Sequence, residues 1–380
     1  MAQWRKKETE DNAMKELYIG LMSGTSADGI DAALVDFSDK KPTVVATLYV
    51  PYSDQMRKDI LELCVTGTEE ILRLGTLDVQ LARAFAETVN TLLEKHQIDH
   101  KDIRAIGSHG QTIRHMPYHH TPFTLQIGDP NTIAAKTGIT TIADFRRKDL
   151  AYGGQGAPLV PAFHQQLFSS PLVDRAIVNI GGFSNVTLLP KEGHHIIGFD
   201  TGPGNTLLDA WIFKHKKKHH DVDGHWGKSG EINDALLQSM LADPYFQLPP
   251  PKSTGREYFN LAWLQKHLDH FKLSPEDVQA TLTELTAITI FNGINERLSQ
   301  GEIIICGGGA HNQFLVERLT VAAHPHFAVT DSSAHGINPD WIEAVAFAWL
   351  AKQTLNKQPG NLPSVTGATV AAILGGVYHV

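Results

Sequence analysis

Three short glycine-rich turns follow apolar stretches of this chain, and turns of this kind can hold phosphate. The first is S-G-T-S-A-D-G at 23–29, the second contains Gly181 and Gly182, and the third contains Gly307 and Gly308. Phosphate groups need backbone N–H donors and little steric bulk, and glycine, serine and threonine turns supply both. An ordinary hairpin turn would explain any one of them alone. Three in one chain favour a nucleotide-binding cleft.

The first turn supplies most of the candidate nucleotide contacts, which are Gly24, Thr25, Ser26, Ala27, Asp28, Gly29, Ile30 and Asp31. Asp28 is also the candidate Mg²⁺ ligand, because hard cations prefer carboxylate oxygen. The turn joins two strand-like stretches, whereas a P-loop or a dinucleotide-binding fold places its glycines between a strand and a helix. It also lacks the P-loop lysine and the dinucleotide glycine spacing, so neither fold is expected.

A single acidic residue, Asp200, stands between an apolar stretch and a Gly/Pro turn in G-F-D-T-G-P-G-N at 198–205. Ligands of α/β folds bind at the ends of strands, so a carboxylate there is a candidate general base. The alternative is that Asp200 caps the helix predicted to begin near Thr206.

The polar segment at 143–156 adds Arg146, whose planar fork suits a carboxylate or phosphate. A solvated charge run explains its neighbours Arg147 and Lys148 equally well. His109 lies among small residues at the end of a predicted strand. It either lines a pocket or is a buried core histidine with satisfied hydrogen bonds.

Histidines and acids crowd the segment 214–225, which raises the question of a metal site. No spacing there places two ligands on one face of a helix, and lysines are interspersed. A solvated loop is therefore expected.

Composition indicates a folded enzyme rather than a nucleic-acid or membrane protein. The 380 residues exceed one average domain, which predicts two lobes. A formal net charge of -8 gives no sign of a surface for nucleic acid or anionic lipid. The two cysteines, Cys64 and Cys306, lie far apart and fit a reduced, cytoplasmic protein. Residues 1–15 form a charged tail without the apolar core of a signal peptide, and no apolar run is long enough to span a membrane.

The elements that position these turns alternate in type. Apolar stretches predict strands at 17–22, 30–37, 103–108, 124–127 and 139–143, and helical spacing covers 53–97. This alternation predicts an α/β architecture. The order strand, glycine turn, strand occurs at 17–37 and again at 176–189. Two similar lobes that face one nucleotide cleft would explain the repetition.

Long motifs over nearly the whole chain resemble the anhydro-N-acetylmuramic acid kinases of the sugar kinase, heat-shock protein and actin superfamily. They include GLMSGTSADGIDAAL at 20–34, SHGQTIRH at 108–115, ADFRRKDLAYGGQGAPLVPAFH at 143–164, GFDTGPGNTLLDAW at 198–211, PKSTGREYFNL at 251–261 and CGGGAHN at 306–312. The resemblance implies a two-lobed actin/hexokinase-like (ribonuclease H-like) fold with the nucleotide cleft between the lobes. Residues 16–142 plus about 356–380 would form the N-terminal lobe, and residues 143–355 the C-terminal lobe.

The resemblance also implies an activity and a set of site residues. ATP, with Mg²⁺, would phosphorylate O6 of 1,6-anhydro-N-acetylmuramic acid while water opens the anhydro bridge, which recycles peptidoglycan fragments. Asp200 would be the catalytic base that activates the water. The residues expected to hold the sugar are His109, Gln111, Asp144, Arg146 and Glu343. A homodimer is compatible with the sequence but not determined by it.

Three other functions remain open at this stage. A kinase of an ordinary open sugar would use Asp200 on a hydroxyl group, and an actin-like switch would need no sugar site. A glycosidase would open the acetal with two carboxylates and no ATP.

Overall fold

The computed structural model describes residues 15–191 and 195–380 of the chain. The predicted tail at 1–15 falls outside these residues except for Lys15. The architecture is α/β, as the alternation of elements predicted, and its strands form two large mixed sheets and one hairpin.

The strands, in chain order, are β1 (Leu17–Met22), β2 (Gly29–Asp36), β3 (Thr43–Pro51), β4 (Ile103–Ser108), β5 (Gln111–Met116), β6 (Phe123–Ile127), β7 (Thr141–Ala143), β8 (Arg175–Ile180), β9 (Phe183–Leu189), β10 (Ile197–Pro203), β11 (Gly301–Cys306), β12 (Phe327–Asp331) and β13 (Gly376–Tyr378).

The helices are α1 (Asp54–Leu63), α2 (Glu70–His96), α3 (Pro130–Thr137), α4 (Arg147–Ala151), α5 (Val160–Phe168), α6 (Asn205–Lys216), α7 (His225–Lys228), α8 (Asp234–Leu241), α9 (Leu261–Leu268), α10 (Pro275–Asn295), α11 (Gln313–Ala323), α12 (Ile342–Leu355) and α13 (Pro363–Thr366). Short 3₁₀ helices lie at His100–Asp102, Val222–Gly224, Pro244–Gln247, Gly308–His311, Ser332–His335 and Pro339–Trp341.

The two large sheets repeat one topology. The first has the order β13-β7-β4-β1-β2-β3 and the second the order β10-β9-β8-β11-β12. In each, three consecutive antiparallel strands are followed by two strands parallel to the first of them. The repetition seen in the sequence therefore reflects two lobes built on the same plan.

Helix α12 packs directly against the first sheet because two strand glycines let the backbones touch. A Cβ atom on Gly20 would lie 1.7 Å from the carbonyl oxygen of Ala344, and one on Gly107 would lie 2.0 Å from that of Phe347. The family resemblance implied a C-terminal lobe of residues 143–355, which includes α12. In the structure, α12 packs on β1, β2 and β4 of the first sheet.

The buried apolar side chains form four clusters. One lies between the first sheet and α2, another between the second sheet and α10 and α11, and a third joins α6, α8, α9 and α10. The fourth lies between the two sheets and includes Phe163 of α5 and Phe347 of α12. Both lobes therefore share one continuous apolar layer.

Two predicted segments differ in detail from the structure. The helical stretch at 53–97 is two helices, because the chain turns at 64–69, where Glu69 has a φ of 51°. The predicted loop at 214–225 begins as helix, since α6 continues to Lys216, and it ends in the short helix α7. Within the described residues, no helix is long and apolar enough to cross a membrane.

Candidate active site

Buried polar groups support the first glycine-rich turn, at 23–29. The Ser23 hydroxyl donates to Oε1 of Gln111 at 2.6 Å and accepts a hydrogen bond from Tyr52 at 2.9 Å. Nε2 of Gln111 donates to the carbonyl of Gly24 at 3.2 Å. Gln111 was predicted to hold the sugar, but both of its polar atoms are used to brace this turn.

Not every residue of the first turn presents a side chain to a ligand. Ala27 and Ile30 are fully buried, and Ala27 has a φ of 50°. Their place in a nucleotide site would therefore rest on backbone atoms. A Cβ atom on Gly24 would contact only the Ser26 hydroxyl, at 3.8 Å, so this part of the turn is open.

The third turn packs against the end of β8, the strand that leads into the second turn. In the register of β8 and β11, Asn179 lies opposite Cys306, so the chain leaves both strands at the same edge. Gly307 has a φ of 78°, and a Cβ atom there would lie 2.3 Å from Oδ1 of Asn179. A Cβ atom on Gly308 would have no neighbour within 4 Å. The third turn thus requires glycine for packing at 307 and leaves open space at 308.

Four carboxyl groups gather beside the first turn. Burial, together with the charges of Asp28, Glu343 and Asp340, raises the pKa of Asp31 to about 7. Asp28, the predicted metal ligand, is exposed and accepts a hydrogen bond from the Ser26 hydroxyl at 2.8 Å. Among residues 15–191 and 195–380, no three His, Cys, Asp or Glu side chains form a metal cage. The donor set fits Mg²⁺, which usually takes one or two carboxylates together with phosphate oxygens.

Arg146 is linked to the first turn through His109. The ring of His109 lies 3.2 Å from the carbonyl of Ser23 through Nδ1, and its Nε2 lies 2.9 Å from Nη2 of Arg146. Arg146 also donates to the carbonyl of Gly156 at 2.9 Å. Burial and then the Arg146 charge lower the pKa of His109 to about 3, so the ring is neutral. Both ring nitrogens of His109 are engaged within the protein, as in a core histidine.

Arg146 and Glu343 line the same cavity of about 140 Å³, together with Asn179, Asn185 and Cys306. Burial raises the pKa of Glu343, whereas the guanidinium of Arg146 lowers it. Burial lowers the pKa of Arg146 to about 10, and Glu343 opposes that change. These two predicted sugar contacts are therefore brought together.

Asp200 lies within β10 and faces a larger cavity of about 440 Å³. It does not cap a helix, because the N-cap position of α6 is Gly204. The pairing of β9 with β10 shifts register between Asp200 and Gly202, and bulges of this kind re-aim side chains near active sites. Burial raises the pKa of Asp200 to about 6, although a hydrogen bond of 3.0 Å from the Thr254 amide to Oδ2 lowers it.

Asp144 lies apart from Asp200. It forms an ion pair with Arg147, whose Nη2 is 2.6 Å from Oδ2, so Arg147 is not merely solvated. Asp144 and His109 line a separate cavity of about 150 Å³. Four of the five predicted sugar residues thus lie in two cavities, Arg146 and Glu343 in one and His109 and Asp144 in the other.

Several residues around Asp200 received no role from the sequence. The wall of its cavity includes His115, Tyr118, Gln155, Lys252 and Glu257. Thr254 acts on Asp200 through its backbone amide, which no residue type signals. The sequence did contain one signal for these residues. The motif at 251–261, which includes Thr254, was among those that resemble the family, but none of its residues was given a chemical role.

A two-lobed α/β architecture, with glycine turns at the strand ends of both lobes and a buried carboxylate beside them, is the arrangement of the superfamily that contains sugar kinases, heat-shock proteins and actin. Comparison with known proteins makes this specific. The family model described as anhydro-N-acetylmuramic acid kinase matches residues 16–380. The chain belongs to the anhydro-N-acetylmuramic acid kinase family.

Relatives of the same name match along nearly their full length. The anhydro-N-acetylmuramic acid kinase of Coxiella burnetii (strain RSA 493 / Nine Mile phase I) is 56% identical over 366 residues, which cover 96% of this chain and 98% of that protein. The enzyme of that name from Saccharophagus degradans is 53% identical over 367 residues, which cover 95% and 98%.

Solved structures with a similar arrangement are more distant. A ROK family glucokinase from Streptomyces griseus, in complex with glucose and AMPPNP, has a TM-score of 0.40 at 12% identity and covers 89% of this chain and 99% of its own. The activator of the 2-hydroxyisocaproyl-CoA dehydratase from Clostridium difficile, with bound ADPNP, has a TM-score of 0.45 at 15% identity and covers 90% and 97%.

Proposed function

We propose that this kinase converts 1,6-anhydro-N-acetylmuramic acid, water and ATP to N-acetylmuramic acid 6-phosphate and ADP. The observation that carries the proposal is Asp200, a carboxylate with a raised pKa in a cavity of sugar size. A base with a pKa near the working pH is suited to remove a proton from water. Family membership supplies the substrate class.

In the proposed reaction, water attacks the anomeric carbon while Asp200 accepts its proton. The bond from that carbon to O6 breaks, and O6 bonds to the γ-phosphorus as the bond to the ADP oxygen breaks. Ring opening and phosphorylation are coupled because O6 is both leaving group and nucleophile. Phosphoryl transfer depends mainly on positioning and on neutralising charge. Bound Mg²⁺ would supply part of that neutralisation.

The cation and the nucleotide would be held at the first turn. Asp28 and Asp31 are the proposed carboxylates near Mg²⁺, and residues 24–31 are the proposed phosphate contacts. The turns at Gly181–Gly182 and Gly307–Gly308 would complete the nucleotide site. The open faces at Gly24 and Gly308 support this placement.

Within the sugar site we assign direct contacts to Arg146 and Glu343, which share a cavity wall. A buried guanidinium suits the lactyl carboxylate of the substrate. His109 and Gln111 are assigned a positioning role, since their polar atoms brace Arg146 and the first turn. We keep Asp144 as a proposed sugar contact but rank it below Arg146 and Glu343, because its ion pair with Arg147 neutralises its charge.

The decisive experiment is incubation with 1,6-anhydro-N-acetylmuramic acid and MgATP in ¹⁸O water, followed by mass spectrometry of the sugar. The proposal expects one ¹⁸O atom at the anomeric carbon and a phosphate on O6. Phosphorylation of open N-acetylmuramic acid but not of the anhydro sugar would contradict it in favour of an ordinary sugar kinase. A ring-opened product formed without ATP would instead indicate a glycosidase.

Three further expectations belong to this proposal. We infer cytoplasmic activity, where ATP is available. We propose a C-terminal lobe of 143–341, with α12 moved to the N-terminal lobe that includes 356–380. We leave a homodimer as the expectation that light scattering in solution would test.

A further inference from the structure

A row of four side chains crosses the second sheet at the edge that carries the active site. Asp200 is paired with Asn185, Asn185 with Asn179, and Asn179 with Cys306. Residues that are directly opposite in neighbouring strands project from the same face of a sheet. The row therefore runs from the proposed base to the cavity of about 140 Å³ that Asn185, Asn179 and Cys306 line.

His164 of α5 also lines this cavity. Its ring is 2% exposed, and Nδ1 lies 3.0 Å from the Thr187 hydroxyl. Thr187 is two positions from Asn185 in β9, so it projects from the same face. Nε2 of His164 is buried and has no hydrogen-bond partner within the described residues.

An orphaned buried nitrogen calls for a partner, because almost all buried polar groups in folded proteins are hydrogen-bonded. An ordered water needs a polar site with two to four hydrogen-bond partners and a free volume of roughly 10–15 Å³. The cavity offers about 140 Å³, together with the amide side chains of Asn179 and Asn185. It meets both conditions for water.

The cavity lined by His164 is also adjacent to the larger cavity that Asp200 faces. Ala157 and Pro158 line both of them. Burial lowers the pKa of His164 to about 3, so its ring is neutral and binds water without attracting a counter-ion.

We propose that the part of this cavity bounded by His164, Asn179, Asn185 and Cys306, here called the chamber, stores ordered water and supplies the molecule that Asp200 activates, while Arg146 and Glu343 in the same cavity contact the sugar. His164 is a positioning residue, since it anchors the water through Nε2 and does not touch the sugar. The inference rests on the proposed function, in which one water is consumed per turnover and bulk solvent must otherwise be excluded.

The supplied water enters the balanced reaction as its nucleophile. Its oxygen bonds to the anomeric carbon, one of its protons passes to Asp200 and then to solvent, and the other remains on the new hydroxyl group. No oxidant, reductant or further reactant is required.

Two substitutions of His164 separate water storage from packing. In His164→Asn, the amide reaches only as far as Nδ1, so it keeps a partner for Thr187 and loses Nε2. In His164→Gln, the longer amide reaches the position of Nε2 and gives up the contact with Thr187. The storage role expects kcat to fall at least about tenfold in the Asn variant, because a displaced nucleophile is costly, with KM for both substrates nearly unchanged. It expects the Gln variant to recover most of that loss.

A crystal structure of the wild-type protein at high resolution provides the second measurement. We expect a water within hydrogen-bonding distance of Nε2 of His164 and a second one toward Asn185. A dry chamber, a wild-type kcat in the Asn variant, or a Gln variant as slow as the Asn variant would each overturn the inference. A wild-type enzyme that cannot use the anhydro sugar would overturn the proposed function instead, and the crystallographic result would still decide whether the chamber holds water.

Discussion

The chemistry of Asp200 depends on its surroundings as well as on its carboxyl group. Burial favours the neutral form and raises its pKa to about 6, while the Thr254 amide stabilises the charged form. The carboxylate is therefore basic enough to accept a proton and still largely ionised near neutral pH. Tyr245 holds the backbone of the same residue, since its hydroxyl donates to the Asp200 carbonyl at 2.8 Å.

Replacing this base should stop turnover without removing the nucleotide. For Asp200→Asn we expect activity to fall by about 10²–10⁴-fold, because a positioned base contributes that much. Binding of ATP, measured by calorimetry, should stay close to wild type, since the three glycine turns are unchanged. Asp39→Asn, at an exposed position, is the matched control and should be fully active. Turnover above a few per cent in Asp200→Asn would move the base role to Asp144.

The pH profile should report the same carboxyl group. The base acts when it is deprotonated, so kcat/KM should rise with pH through about 6 and then level off. Below that pH, the rate should fall about tenfold per pH unit. Burial also raises the pKa of Asp209, to about 7, so it titrates in a similar range. The limb near pH 6 should persist in Asp209→Asn, and its disappearance there would assign it to Asp209.

At the scale of elements, the site depends on how closely α12 approaches β1 and β4. Glu343 lies at the start of α12, and its charge raises the pKa values of both Arg146 and Asp31. The contacts at Gly20 and Gly107 determine how deeply this helix sits between the lobes. The position of Glu343 is thus fixed by two glycines that lie outside the active site.

Adding one methyl group at Gly107 should disturb both stability and activity. In Gly107→Ala the new Cβ would overlap the carbonyl of Phe347, and overpacking of this kind costs about 1–3 kcal/mol of unfolding free energy. Kcat/KM should fall as Glu343 moves with the helix. The control is Gly75→Ala in α2, where a Cβ has no neighbour within 4 Å. That change should stabilise the protein by about 0.5–1 kcal/mol. Urea unfolding checks both values, and equal stability of the two variants would contradict the packing argument.

At the scale of the whole molecule, the end of the chain returns to brace the active-site loop. Asp149 is fully buried and accepts hydrogen bonds from Asn361 at 2.6 Å, Thr366 at 2.7 Å and the Gly156 amide at 2.8 Å. The loop that contains Gly156 lines the cavities of both Asp200 and Arg146 through Ala157 and Pro158. One carboxylate therefore connects residues far apart in sequence to the site.

Removing its charge should loosen this connection. For Asp149→Asn we expect a loss of roughly 3 kcal/mol in unfolding free energy, because an amide nitrogen would face groups that donate hydrogen bonds. Kcat/KM should fall as well, since the loop would lose its anchor. Asp269→Asn, which affects only an exposed contact with Gln265, is the control and should be neutral. Wild-type thermal and urea stability of Asp149→Asn would exclude the bracing role.

Sequence alone determined what depends on local pattern. Alternating apolar stretches and glycine turns predicted the α/β class and the repeated lobes, and long motifs predicted the family, because these signals lie in contiguous residues. The end of α2 was also predictable, but the turn at 64–69 was missed although the polar residues 66–70 interrupt the apolar spacing.

Only the tertiary structure decided which side chains share a cavity. Gln111 and His109 were predicted as sugar contacts, yet their hydrogen bonds go to the first turn and to Arg146. The backbone contact of Thr254 and the orphaned nitrogen of His164 had no signal in residue type or spacing. The physical reason is that burial and hydrogen-bond partners arise from segments distant in sequence, and these set both the pKa of Asp200 and the space around it.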